Sequence, residues 1–94
     1  MARTSAAWFI RDDWEEIKAL CIDDLQATYD EWLSFAETEI AAYIAAGFFV
    51  EKIVVTADDI RRRERATGRK VDGNGRAKIA AKKMLEQDKG RTRN

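Results

Sequence analysis

Apolar residues recur along the first half of the chain at the spacing of an α-helix. At 100° per residue, Ile10, Trp14, Ile17, Cys21, Leu25, Tyr29, Trp32, Ala36 and Tyr43 all fall within about 60° of one line drawn through Trp14. Glu16, Asp23, Asp30, Ser34 and Glu37 lie on the opposite side. This spacing predicts an acidic amphipathic helix over residues 12–46, preceded by an N-terminal arm at 1–11. There is no proline and the first glycine is Gly47, so nothing marks an interruption. A single helix of that span is long for so small a domain, and two in-phase helices broken near residues 27–30 satisfy the same pattern.

Gly47 stands where a left-handed residue would close this helix. Beyond it, Phe48-Phe49-Val50 and Ile53-Val54-Val55 have the β-branched and aromatic character of a strand. A strand needs a partner, and no second segment shares that character, so residues 47–56 are expected to form an extended apolar connector. Strand exchange between two copies is the other way to satisfy it. Thr56 followed three residues later by Asp59 signals a helix start, and Gly68 its end, giving a helix over 57–66. A loop at 69–75 then leads to a last helix at 76–87, with Ala77, Ala80, Ala81, Met84 and Leu85 on its apolar side. Ile79 sits roughly 160° away from Ala81. Either that helix is covered on two sides or its start is misplaced. Residues 57–89 make a basic helical segment, and 90–94 are expected to form a mobile charged tail. The fold class expected is all-α: a single small helical bundle of residues 1–94.

Composition narrows the chemistry. A lone Cys21 and no histidine among 94 residues exclude a Cys/His zinc site and Cys/His catalysis. Cys21, on the apolar stripe, reads as a small buried hydrophobe. The Asp72-Gly73-Asn74-Gly75 loop fails as a calcium loop, because Arg76 and Lys83 occupy ligand positions. It fails as a nucleotide loop too, lacking the Gly-Lys-Ser/Thr ending and the third glycine. Paired acids such as Asp12-Asp13 and Asp30-Glu31 follow the polar side of a helix and suggest no pocket, so no enzyme activity and no cofactor or metal are expected. The longest apolar run, residues 40–50, is too short to span a bilayer, and no signal-peptide core precedes it. A cytoplasmic location is the expectation.

Charge alters the picture most. Residues 1–60 hold 13 Asp or Glu against 4 Lys or Arg, and residues 61–94 hold the reverse, so the net charge of zero is a cancellation of −9 and +9. The basic third points to nucleic-acid phosphates as ligand, through Arg61, Arg65, Arg69, Arg76, Lys78 and Lys82. Arg62 and Arg63 are left out because Asp58 and Asp59 stand four residues before them and can pair with them. Only Gln87 on the last helix could read bases, so contacts should be to phosphate. The expected function is a small non-enzymatic accessory or regulatory protein. The alternative is a protein-binding module using Asp23, Asp30 and Glu37: an inhibitor of a nucleic-acid-handling complex of the kind mobile elements carry, such as an anti-CRISPR protein. Trp14, Tyr29, Trp32 and Tyr43 are surplus aromatics suited to self-association, making a homodimer a further expectation. Both ligand readings require the two charged poles to stay apart in the folded chain.

Overall fold

The computed structural model describes residues 2–92. Its elements are β1 (Arg3–Trp8), a 3-10 turn (Arg11–Asp13), α1 (Trp14–Leu20), α2 (Tyr29–Ala45), β2 (Phe49–Val54), α3 (Ala57–Thr67) and α4 (Gly73–Thr92). The expectation of an all-α bundle is therefore wrong. β1 and β2 form a two-stranded parallel sheet, with Arg3 opposite Phe49 and Trp8 opposite Val54, which makes the fold mixed α/β. The 1–11 arm is the strand that the 47–56 segment lacked. Parallel neighbours need a crossover, and α1 with α2 supplies it.

The 12–46 stripe is two helices, not one. After Leu20 the backbone becomes extended at Cys21 (φ −95°, ψ 147°), which bridges in parallel to Val71. The Ile22 N–H donates to Val71 C=O at 3.0 Å, so a backbone partner far along the chain replaces the next helical turn. The break covers residues 21–28, and α2 restarts behind Thr28, whose hydroxyl accepts from the Glu31 N–H. Helix ends elsewhere follow the local signals. Gly47 adopts φ +97°. The Phe48 N–H reaches Tyr43 C=O and the Gly47 N–H reaches Ile44 C=O, a Schellman closure with the Tyr43 and Phe48 rings 5.5 Å apart. At the start of α3, Thr56 and Asp59 form a reciprocal capping box.

Aromatic side chains fasten the crossover to the end of β1. Trp32 packs 4.9 Å from Phe9, 5.0 Å from Trp8, 5.7 Å from Trp14 and 5.3 Å from Tyr29, measured between ring centroids. Ile17, Ile53, Val55, Ile60 and Val71 continue this core beneath α3 and α4. The apolar side assigned to the last helix is rotated: Ala77 and Leu85 are exposed, while Ile79 and Ala80 are buried. Asp72 sets the start of this helix. Its carboxylate accepts from the Gly75 N–H at 2.9 Å and its C=O from the Arg76 N–H, so α4 begins at Gly73 and not at residue 76. α4 then lies against β1 and α3 together, which explains why Ile79 finds cover. Residues 90–92 of the expected tail belong to α4, and residues 93–94 lie outside those described.

Candidate nucleic-acid interface

α3 carries the densest run of arginines, and the structure divides them differently from the sequence. Arg61 pairs with Asp58 at 2.9 Å and also with Glu16 of α1, while Arg62 pairs with Asp59 at 2.7 Å. Both helical pairs are three residues apart where four was expected. The capping box fixes Asp59 near the helix start, and Lys83 of α4 holds the same carboxylate at 2.7 Å. Burial alone would raise the Asp59 pKa, but Lys83, the Thr56 N–H and Arg62 outweigh it and hold the carboxyl at about 2. Arg63 and Arg65 are consequently the arginines of this run without an ion pair among the described residues.

Arg63 is where the charge collects. With Arg69, Lys70 and Lys78 it lines a polar cleft of about 180 Å³ between the end of α3 and the start of α4. The loop between these helices is held in place. Gly68 takes φ +71°, the Thr67 hydroxyl donates to Arg63 C=O at 3.0 Å and accepts from the Arg69 N–H at 3.3 Å, and Val71 is buried against the core. Asp72 also lines the cleft, with one carboxylate oxygen engaged by the Gly75 N–H. None of the four cations has an ion pair among the described residues. Four like charges around so small a volume repel one another, and a bound anion removes that repulsion.

The six cations expected to contact phosphate do not form one surface. Arg69 and Lys78 meet in this cleft. Arg65 lines a separate depression with Leu20 and Arg61, and Lys82 lies in the groove between α3 and α4. Arg61 is ion-paired, as above. Arg76 is 7% exposed and donates twice to Asp23, at 2.8 and 2.7 Å, which removes it from any ligand surface. Hydrogen bonding from Arg76 pulls the Asp23 pKa below the usual carboxylate range. Burial alone would lower the Arg76 pKa, yet the Asp23 carboxylate reverses the balance and raises it. Cys21 beside this pair has its thiol pushed up by burial, with Arg76 opposing, and it packs on the core as a small hydrophobe.

The acidic alternative loses members in the same way. Asp23 is bound to Arg76 and Asp30 to Arg11 at 2.6 Å, leaving Glu37 exposed on α2. The poles are thus partly folded onto each other, through Asp23–Arg76 and Glu16–Arg61. Of the self-association set, Trp14 and Trp32 are buried, and the half-buried Tyr29 donates its hydroxyl to Phe9 C=O at 2.8 Å. Those three build the core, and Tyr43 is the exposed member. Reasoning from sequence missed Arg63 and Lys70. The capping box was the available signal, because it places Asp59 at the helix start and in competition for the bond assigned to Arg63.

No group of three or more Asp, Glu or Cys residues suited to a metal ion occurs among the described residues, and no helix there is long and apolar enough to cross a membrane. The chain matches no protein-family model, no curated protein and no solved structure.

Proposed function

We propose that this protein is a small non-enzymatic accessory factor that binds nucleic-acid phosphates through the α3–α4 connection. The observation that supports this reading is the convergence of Arg63, Arg69, Lys70 and Lys78 on one cleft with no ion pair among the described residues. Lys82, in the neighbouring groove that Arg63 also lines, extends the cationic surface, whereas Arg65 lies in a separate depression. Arg61 and Arg76 serve the fold instead. Because Arg63, Arg69, Lys70 and Lys78 offer the cleft's charged donors, recognition is of backbone and not of sequence.

Each phosphate neutralised releases counterions, so affinity must fall with salt. Fluorescence anisotropy with a labelled duplex of arbitrary sequence, titrated at several salt concentrations, tests this. Two neighbouring phosphates held by the four cations give a slope of log K against log salt of about −1.8 for duplex DNA. A flat response, or binding confined to one base sequence, would refute the proposal.

A further inference from the structure

Every aromatic residue of the chain lies outside the surface that carries the unpaired cations. All nine fall between Trp8 and Phe49, and no residue of α3, α4 or their connection is aromatic. Trp8, Phe9, Trp14, Tyr29 and Trp32 pack on one another at the end of β1, and none of the nine lines the cationic cleft or the groove beside it. Proteins that hold single-stranded nucleic acid set aromatic rings along a basic groove, and each stacked base returns about 1–3 kcal/mol. Here a strand with free bases meets charge alone.

That charge is set out in a line. Arg63 lines both the cleft and the neighbouring groove of about 300 Å³ between α3 and α4, where Arg62 and Lys83 are taken by Asp59 and Lys82 has no ion pair among the described residues. Lys78 and Lys82 stand four residues apart on α4, a rise of about 6 Å. Main chain forms the floor of the cleft: Gly75 is buried, and a Cβ there would meet Val71 Cγ1 at 3.1 Å and come within 3.6 Å of Arg63 Nε. Two of the N–H groups that open α4 are already bonded, Gly73 to Asp23 and Gly75 to Asp72. Side-chain cations therefore carry the phosphate contacts.

Point charges at set intervals favour the backbone that is denser in charge and already ordered. A double helix presents one charge per about 1.7 Å of axis, and each contact to it steepens the salt slope by about 0.9 against about 0.7 for a single strand. A single strand must also be ordered on binding, and with no ring to stack on it recovers nothing for that cost. We infer that the cleft and its groove select the double-helical backbone over single strands, an inference that rests on the phosphate-binding reading above and names its ligand class. DNA and RNA duplexes both supply such a backbone.

The test is the melting of a short DNA duplex, and separately of a short RNA duplex, followed by ultraviolet absorbance with and without the protein. Each duplex is chosen to melt below the protein's own unfolding temperature, measured by circular dichroism. A protein that prefers the duplex raises its melting temperature and one that prefers the separated strands lowers it, so the sign of the shift decides. The expected result is a rise at low salt that fades as salt is added, and the arm that responds identifies the nucleic acid. Anisotropy with the unpaired strands should show binding weaker by roughly threefold or more, with a salt slope of about −1.4 for two phosphates. Arg63→Glu/Lys78→Glu, its folding checked by circular dichroism, should abolish the rise. A rise that survives this double reversal would overturn the assignment to the cleft. A fall in both arms, or no shift where anisotropy shows salt-dependent binding to both forms, would overturn the duplex preference and leave phosphate binding standing. Absence of binding to either form would overturn both.

Discussion

Replacing Asp23 with alanine is the sharpest probe of how the two halves are joined. The change strands a guanidinium whose side chain is 9% exposed and which otherwise donates two bonds of 2.8 and 2.7 Å to the carboxylate. Breaking a buried pair from one side costs about 3–5 kcal/mol, because the remaining charge has lost its counter-ion and gained little water. The Asp23 side chain is 35% exposed, so water enters where the carboxylate stood, and the lower end of that range applies: about 3 kcal/mol. For a domain of this size, with roughly 5–14 kcal/mol in total, that is a large fraction. Arg76→Met leaves the carboxylate, which rehydrates more easily, and should cost about half as much. The double variant should be more stable than the sum of the two losses implies, by about 2 kcal/mol. Urea unfolding followed by circular dichroism and tryptophan fluorescence measures all three. A loss below about 1 kcal/mol for Asp23→Ala, or a larger loss for Arg76→Met than for Asp23→Ala, would refute the asymmetry argued from exposure.

Two further outcomes follow from the caps and from titration. The Asp59 carboxyl titrates at about 2 in the folded chain against about 3.9 unfolded, so its stabilisation is complete above the unfolded value and disappears as pH falls through the folded one. The loss is on the order of 2 kcal/mol between pH 4 and 2, and Asp59→Asn should flatten that part of the urea stability profile; an unchanged slope would count against it. Gly68→Ala forces a side chain into φ +71° and should destabilise by about 1 kcal/mol in thermal melts. An equal or higher melting temperature would contradict the left-handed closure of α3.

Local signals in the sequence were reliable where short-range chemistry decides the outcome. Gly47, the Thr56–Asp59 box and Gly68 each mark a helix boundary that the structure keeps. The sheet was hidden because β1 lacks a strand-like sequence: its middle is Ser-Ala-Ala, and its partner lies 46 positions away, Arg3 opposite Phe49. Helical phase was also misleading. The stripe stays in register from Ile10 to Tyr43, yet the Cys21–Val71 bridge interrupts it, and periodicity cannot reveal a competing backbone partner. The candidate site was half legible for the same reason. Charge segregation located Arg69 and Lys78, but only tertiary contacts show that Arg76 faces Asp23 and that Arg61 faces Glu16. Arg63 was set aside on a rule about four-residue spacing, whereas Asp59 pairs with Arg62 and Lys83.

The central claim is that phosphate binding belongs to the cleft and not to the basic third at large. The salt slope of duplex binding, compared between Arg63→Glu/Lys78→Glu and Arg61→Gln, tests it most directly. The double charge reversal should flatten the slope and weaken binding, while Arg61→Gln leaves the slope where it was. Equal slopes for the two variants, or loss in Arg61→Gln alone, would contradict it.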